Sequence, residues 1–281
     1  MSKFLVKAPA KVNLFLHIIG KNDRYHSLES LFVFVNIYDI LEVTIGAPRK
    51  GVYFANLKIN RYNNTVIKAI ELLSKYTDSS VNVFVSVIKN ILVSAGLAGG
   101  SADAAAVMRL LGNMWDIEHQ VLEGLALEIG SDVPACLHSK TLFIKGRGEN
   151  ILLLPDLCLP KYIVLVAPRG RALSTVKVFS NYEAGTFSSS ISDKLPAKRD
   201  DWLELICSAR NDLLDTALKF VPEIEDILFV LKKFKNCLTA RMTGSGATCF
   251  ALFNELNDAE TAVRELKMTR PDWIVLNARI L

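Results

Sequence analysis

The stretch GLAGGSADAAAVMRLL, residues 96–111, places three glycines within five positions directly before a run rich in alanine and leucine. Glycine permits positive φ angles and close approach of the backbone, whereas alanine and leucine favour helix. The order predicts a tight turn that opens into a helix, with Ser101 as the N-cap. The N–H groups at such a junction bind phosphate well. A purely structural turn with a serine cap is equally compatible with this stretch alone.

The familiar nucleotide motifs are excluded. The GxxxxGK[ST] pattern does not occur, and GxGxxG fails because residue 98 is alanine. A phosphate site at this turn would therefore belong to another class of nucleotide-binding fold.

Composition and charge narrow the function classes further. The chain is 51% hydrophobic and 22% charged with a net charge of +4, and no Lys/Arg block stands apart from acidic neighbours. This argues against a nucleic-acid surface and leaves room for a small anionic ligand. Without an apolar run of about 18–20 residues or a signal peptide, we expect a cytoplasmic protein with no membrane partner. The five cysteines lack metal-ligand spacing, so we expect reduced core thiols and no protein-built metal site.

Hydrophobic periodicity predicts mixed helices and strands without strict βαβ alternation. Strands dominate the first 45 residues, and a helix follows in NNTVIKAIELLSKY, with Asn63 or Asn64 as its cap. The segment TLFIKGRGENILLL predicts a hairpin, and the Ser-rich segment 180–201 predicts a loop or weak helix. The pattern indicates an α+β fold in two lobes that meet near residues 155–165.

Three further stretches carry chemistry. Lys11 and Asn13 share the polar face of the predicted strand AKVNLFLHI, Asp132 stands at a helix start in GSDVPACL, and MTGSGATCF is a second glycine-rich turn. Each also has a plain structural interpretation: a solvated lysine, a helix-start acid and a hairpin turn. Together they add a cation, a carboxylate and a second close-approach turn to the phosphate cradle.

This combination resembles the GHMP kinase superfamily, whose three motifs occur here in order. The resemblance covers nearly the whole chain, through KAPAKVNLFLHI, YHSLESLF, SAGLAGGSADAA, GSDVP, KGRGE, RNDL and ARMTGSGATCFALF. It implies a two-lobed fold. A ribosomal-protein-like N-terminal lobe with the ATP phosphate loop would span residues 1–158, and a ferredoxin-like α/β C-terminal lobe would span 159–281.

The resemblance also implies roles for individual residues. Lys11 and Asp132 match the catalytic pair, and the substrate-side positions are Asn13, Tyr25, His26, Gly244, Ser245 and Gly246. The ATP-binding positions are Asn64, Leu92, Val93, Ser94, Ala95, Gly96, Leu97, Ala98, Gly99, Gly100, Ser101 and Ala102. The family pattern differs at Leu92, Ala98, Ala102 and Arg24, and Ala98 raises the question whether that position requires a positive φ.

The implied activity is phosphoryl transfer from ATP, with Mg²⁺, to a small-molecule alcohol that carries a cytidine diphosphate. Tyr25 would stack on the cytosine ring, His26 would hydrogen-bond its edge, and Asp132 would accept the proton of the hydroxyl. The alternatives are another small-alcohol kinase of the superfamily, a diphosphate decarboxylase of the same fold, or a binding module. We expect a monomer or weak homodimer.

Overall fold

The computed structural model describes residues 1–21, 25–57, 64–155, 157–183, 185, 187–198 and 201–281. The chain forms two compact units that interleave along the sequence. Unit 1 comprises Met1–Lys11, Ile37–Val93 and Ala98–Ser139, and unit 2 comprises Val12–Asn36, Ser94–Leu97 and Lys140–Leu281. The sequential division into lobes 1–158 and 159–281 stays a prediction.

Strands and helices are mixed throughout, as the periodicity predicts. The strands are β1 (Ser2–Asn13), β2 (His17–Lys21), β3 (His26–Ile45), β4 (Gly51–Phe54), β5 (Val83–Ile88), β6 (Leu142–Gly146), β7 (Asn150–Leu153), β8 (Tyr162–Pro168), β9 (Thr239–Met242), β10 (Cys249–Phe253) and β11 (Trp273–Arg279). The helices are α1 (Thr65–Tyr76), α2 (Gly99–Met114), α3 (His119–Ile129), α4 (Val133–His138), α5 (Thr175–Ser180), α6 (Trp202–Ser208), α7 (Leu214–Leu218), α8 (Glu223–Leu231) and α9 (Leu256–Thr269). Among the helices of the described residues, none combines the length and apolarity that crossing a bilayer requires.

Unit 1 packs helices α1–α4 with a small sheet. The second half of β3 pairs antiparallel with β5, and β5 pairs in parallel with β4. Alternate residues of β5, Val83, Val85 and Val87, are buried, as expected of a strand with one face against helices. Helix α1 buries the predicted stripe that includes Ile70 and Leu73. Its cap is Asn64, whose side chain accepts a hydrogen bond from the Ile67 N–H, which confirms that prediction.

Unit 2 contains two groups of strands. The first half of β3 pairs antiparallel with β2 and β6, and β6 and β7 form the predicted hairpin. A four-stranded antiparallel sheet has the order β11-β8-β10-β9. Its apolar core includes Val164 and Val166 of β8 and Ile224 and Ile227 of α8. The α+β fold class is confirmed.

The cysteines only partly follow the sequence-based expectation. All five thiols are free, and Cys136 and Cys249 are buried. Burial raises the pKa of both of these thiols far above its ordinary value. Cys158 and Cys207 are exposed, so the prediction that the cysteines are core thiols was wrong for these two. Their apolar sequence neighbours do not determine on which side of the chain the thiol lies.

The described part of the Ser-rich segment 180–201 is held by two carboxylates of unit 2. Asp212 accepts hydrogen bonds from Ser188 Oγ at 2.6 Å and from the Ile18 N–H at 2.7 Å. Glu29, fully buried, accepts hydrogen bonds from Ser190 Oγ at 2.6 Å and from the Ile191 N–H at 2.7 Å. A short 3₁₀ turn at Ser192–Lys194 follows. The segment is therefore a loop with specific anchors, as its polar composition allows.

Asp212 provides a test of this anchoring. Burial alone would raise its pKa, but hydrogen bonds from Ser188, Arg210 and the Ile18 backbone bring the pKa below its ordinary value. We expect Asp212→Asn to lower the free energy of unfolding at pH 7 by about 1.5–3 kcal/mol, because hydrogen bonds to a charged acceptor are lost. Urea unfolding measures the difference.

The pH dependence follows from the sign of the shift. A carboxylate whose pKa is lowered on folding stabilises the fold above its unfolded-state pKa of about 3.9. This stabilisation is lost as the pH falls through the lower pKa of the folded state. The gap between wild type and Asp212→Asn should therefore shrink below about pH 4. The exposed Asp215→Asn serves as control. A gap that is constant from pH 7 to pH 3 would contradict the assigned shift.

Candidate active site

The glycine-rich turn opens into α2 as predicted, but its cap is not Ser101. The helix begins at Gly99, and Ala98 is the N-cap residue, with no side-chain cap bond. The first intrahelical hydrogen bond runs from the Ala102 N–H to the Ala98 carbonyl at 2.9 Å. The prediction of Ser101 as N-cap was wrong, because the two glycines before it already have helical backbone. Ser101 is the third residue of the helix.

Ala98 has the positive φ angle that the sequence comparison with the family pattern raised as a question. Its backbone lies in the left-handed region, with φ 52° and ψ 31°. A Cβ in this region costs about 1–2 kcal/mol, because it crowds the following carbonyl. Residue 98 therefore has a backbone conformation that glycine usually adopts, although the residue is alanine.

The start of α2 offers backbone donors. The N–H groups of Gly99, Gly100 and Ser101 precede the first intrahelical bond, so none of them has an acceptor within the helix. They lie at the positive end of the helix dipole, which favours an anion. Thr65 Oγ1 donates a hydrogen bond to the Gly100 carbonyl at 2.6 Å, which brings the start of α1, with its cap Asn64, next to this turn. Asn64 and Ala98–Ala102 of the predicted ATP-binding set thus lie at one helix end.

A buried ionic cluster lies behind this helix end. Lys89 Nζ donates a hydrogen bond to Asp103 Oδ2 at 2.7 Å and another to Asp39 Oδ2, and all three residues are buried. Lys89 Nζ is also near Gly99, where an added Cβ would lie 3.2 Å from it. Burial raises the pKa of Asp103 to about 7, and the Asp39 charge adds to the rise against the opposing effect of Lys89. Sequence reasoning missed this cluster.

The predicted catalytic pair is in contact within unit 1. Lys11 Nζ lies 3.2 Å from Asp132 Oδ2. The Lys11 side chain is only 4% exposed, whereas that of Asp132 is 35% exposed. Lys11 is thus not a solvated strand lysine. Asp132 is the N-cap of α4, where Pro134 occupies the first turn. This places a buried ammonium beside a carboxylate that solvent and ligands can reach.

The remaining predicted residues of the phosphate loop lie in unit 2, against the second glycine-rich turn. The Ala95 carbonyl accepts a hydrogen bond from the Thr248 N–H at 3.3 Å. A Cβ on Gly96 would clash with the Thr243 carbonyl, and one on Gly244 would lie 2.9 Å from the Gly96 carbonyl. Both glycines have positive φ, 78° and 55°, so the conformation and the close approach both require glycine. The turn is also the connection between the antiparallel strands β9 and β10.

Asn13 is fixed against the same turn. Its backbone N–H donates to Thr243 Oγ1 at 2.8 Å, and its side-chain amide donates to Ser30 Oγ at 2.9 Å. The Ser245 hydroxyl lies 2.9 Å from Thr175 Oγ1. Asn211 donates to the Gly244 carbonyl at 2.8 Å. Unit 2 therefore gathers Asn13, Gly96 and the turn Gly244–Gly246 in one place.

Tyr25 and His26 have aromatic and cationic neighbours in unit 2. The Arg147 guanidinium lies over the Tyr25 ring, 4.5 Å from its centroid, and Tyr25 is 46% exposed. The His26 ring lies 5.6 Å from the Phe179 ring and 5.5 Å from the Tyr182 ring. Burial, and to a lesser degree the charge of Lys21, lower the pKa of His26. A neutral imidazole beside an exposed aromatic ring fits the recognition of a flat heterocycle. Asp23 and Arg24, which precede these two residues in the sequence, lie outside the described residues.

Unit 2 also contains a cavity of about 760 Å³, lined mostly by residues of α7 and β9 and of the loops beside them. None of the predicted site residues lines it. Tyr182, which contacts His26, and Asn211, which donates to the Gly244 carbonyl, do line it, so the cavity borders the residues around the site.

Ala98→Gly tests the strain in the turn. We expect the free energy of unfolding to rise by about 0.5–1 kcal/mol, since relief of about 1–2 kcal/mol exceeds the added unfolded-state entropy of about 0.4–1 kcal/mol. Urea unfolding is the measurement. The matched control is Ala105→Gly in the interior of α2, which should lose stability by about 1 kcal/mol or more. A loss of stability in Ala98→Gly would show that the turn does not carry this strain.

Comparison with known proteins assigns the family. Residues 64–140 match the model of the GHMP kinases N terminal domain, and residues 194–269 match that of the GHMP kinases C terminal domain. These matches fall on either side of the boundary expected at residue 158, which itself stays a prediction.

Full-length relatives give the same result. The chain is 83% identical over 281 residues to a 4-diphosphocytidyl-2-C-methyl-D-erythritol kinase of Ehrlichia ruminantium (strain Gardel), with all of both chains covered. It is 49% identical to the enzyme of that name from Anaplasma marginale (strain Florida), covering all of this chain and 98% of that one. A crystal structure of 4-(cytidine 5'-diphospho)-2C-methyl-D-erythritol kinase has the same fold, with a TM-score of 0.79 over 99% of both chains at 24% identity. The chain belongs to the GHMP kinase family.

Proposed function

We propose that this chain is an ATP-dependent kinase that phosphorylates the 2-hydroxyl of 4-diphosphocytidyl-2-C-methyl-D-erythritol, in the methylerythritol phosphate route to isoprenoid precursors. The observation that carries the proposal is the 83% identity over the full length to a relative of that name. The contact between Lys11 and Asp132 supports the chemistry. ATP is the co-substrate that membership of a kinase family implies.

Asp132 is the proposed general base. Transfer forms a bond between the γ-phosphorus and the substrate hydroxyl oxygen and breaks the bond to the β–γ bridging oxygen, which leaves as part of ADP. The hydroxyl proton passes to the Asp132 carboxylate. Lys11, 3.2 Å from that carboxylate, orients it and places positive charge near the group in transfer. The burial of Lys11 strengthens this interaction, because few waters screen it.

The start of α2 is the proposed phosphate cradle. The N–H groups of Gly99, Gly100 and Ser101 supply donors for phosphate oxygens, and left-handed Ala98 sets their direction. Asn64, through the contact between Thr65 and Gly100, belongs to the same end of unit 1. The whole loop, Leu92–Ala102, is the proposed ATP-binding segment.

The residues fit a magnesium ion in donor chemistry. Mg²⁺ prefers oxygen ligands and keeps several from phosphates and water. Ser101 carries a hydroxyl in the first turn of α2, beside the proposed phosphate cradle, so it offers an oxygen of the preferred kind. When bound, Mg²⁺ neutralises phosphate charge.

Tyr25 and His26 are the proposed cytidine contacts. Tyr25 offers an exposed ring face, and Arg147 already lies over this ring, as a cation does over an aromatic surface. The lowered pKa of His26 keeps its imidazole neutral, with one donor and one acceptor for a base edge. Asn13 and the turn Gly244–Gly246 are the proposed contacts to the rest of the substrate.

We extend the proposal to the expectations on assembly and location. The chain acts in the cytoplasm, where ATP is available, as a monomer or weak homodimer, with a small molecule rather than a nucleic acid or membrane as partner. The alternative activities, another small-alcohol kinase or a diphosphate decarboxylase of the same fold, are distinguished by assay.

The direct test is an assay for ADP release with and without the cytidine diphosphate substrate. The proposal expects ADP release only with that substrate. Stimulation by mevalonate or homoserine instead would assign a different kinase activity. Release of CO₂ together with ADP would assign a decarboxylase.

Asp132→Asn should lower turnover by about 10²–10⁴-fold, the range that general-base removal typically costs. Its KM values for both substrates should change little, because the carboxylate acts on the proton rather than on binding. The exposed Asp116→Asn in unit 1 is the control, and its positive φ suits asparagine. Near-normal turnover in Asp132→Asn would remove this residue from the base role.

Tyr25→Ala should raise KM for the cytidine substrate by roughly 5- to 150-fold, equivalent to about 1–3 kcal/mol of stacking. KM for ATP should stay unchanged. Tyr25→Phe keeps the ring and should retain most of the affinity, and Tyr76→Ala, an exposed tyrosine at the end of α1, is the control. A loss of ATP affinity alone would assign this ring to the nucleotide.

A further inference from the structure

Three potential metal ligands meet in unit 1, outside the residues assigned above. His119 is the first residue of α3, Glu123 lies one turn later on the same helix, and His138 is the last residue of α4. His119 Nδ1 lies 3.2 Å from Glu123 Oε1, and His138 Nε2 lies 2.7 Å from the same oxygen. One donor atom from each of the three side chains lies within 4.8 Å of the others.

The donor set is specific in its chemistry. Two imidazole nitrogens and one carboxylate oxygen suit Zn²⁺ and related transition metals, whereas Mg²⁺ prefers oxygen alone. Tetrahedral zinc with bonds of about 2.1 Å separates its ligand atoms by about 3.4 Å. The 3.2 Å separation between His119 Nδ1 and Glu123 Oε1 is close to this value, and the 2.7 Å separation between His138 Nε2 and the same oxygen is about 0.7 Å shorter. Small side-chain rotations would open room for the ion, and His119, whose side chain is 59% exposed, is free of packing restraint on much of its surface.

The position of the cluster favours a structural role. His119 and Glu123 are spaced i, i+4, which places both on one helix face, and His138 approaches from a second helix. Asp132 caps the opposite end of α4, six residues away, or about 9 Å along a helix. An ion at this cluster would therefore fasten α4 to α3 without taking part in phosphoryl transfer.

We propose that His119, Glu123 and His138 form a zinc-binding site, with water as the fourth ligand, that ties α3 to the C-terminal end of α4. The proposal is independent of the kinase activity. It predicts a site for a borderline transition metal in a chain whose Cys and His spacing alone indicates none.

The test is zinc titration of metal-stripped full-length protein against a chromophoric chelator. Wild type should bind one Zn²⁺ through this site, and His119→Ala should weaken that binding at least tenfold. Since His119 is exposed, this variant should fold normally. Glu123→Gln should also weaken binding, while Glu128→Gln, an exposed change on the same helix, should not. Millimolar Mg²⁺ should leave the bound zinc in place.

Two further readouts separate this site from other zinc binding. Zinc should raise the Tm of wild type but not of His119→Ala, because the ion stabilises only a fold that presents all ligands. Alkylation of the exposed thiols Cys158 and Cys207 should leave the titration unchanged. Equal zinc affinity in wild type and His119→Ala, or loss of binding on alkylation, would overturn the proposal.

Discussion

The start of α2 depends on the buried charge of Lys89. This one ammonium joins Asp39 of β3 to Asp103 of α2, while Asp39 also accepts hydrogen bonds from the Asn90 and Ile91 N–H groups at 2.6 and 2.8 Å. Strand β3, the chain that follows β5 and the N-terminal part of α2 are therefore held by a single ionic cluster. Loss of one partner from such a cluster typically costs about 3–5 kcal/mol, because it leaves an uncompensated buried charge. The proposed phosphate cradle thus has a rigid support.

The glycine-rich turn combines strain and rigidity. Ala98 holds a left-handed backbone that its side chain disfavours, and the surrounding contacts maintain it. Thr65 binds the Gly100 carbonyl, and Lys89 lies close to Gly99. A rigid turn places its N–H groups before a ligand arrives, so little reorganisation is needed when negative charge is bound.

Local patterns in the sequence predicted most elements of the fold. The 3.6-residue period predicted α1, the segment TLFIKGRGENILLL predicted the hairpin of β6 and β7, and an asparagine before the apolar stripe predicted the Asn64 cap. Ser101 was misassigned as a cap because residue type alone does not reveal that the preceding glycines are already helical. The period also missed α6, whose buried stripe consists of Trp202 and Ile206 alone.

The site was harder to predict from the sequence than the fold, because its contacts join residues that lie far apart in the chain. The contact between Lys11 and Asp132 came from resemblance to a family, since no local rule links residues so distant in sequence. The Lys89 cluster was missed because its carboxylates lie 50 and 14 residues away and each resembles an ordinary surface acid. The interleaving of the two units was not predicted for the same reason. Each unit is made of segments that are close in space but far apart in the chain.

Strand β1 carries both Lys11 and Asn13, two positions apart, so their side chains lie on one face of the strand. A slip of one residue in the pairing of β1 would exchange its faces and present Ala10 and Val12 where Lys11 and Asn13 belong. The proposed catalytic lysine and the proposed substrate-binding asparagine would then be lost together. The correct pairing register of β1 is therefore an all-or-none condition for activity.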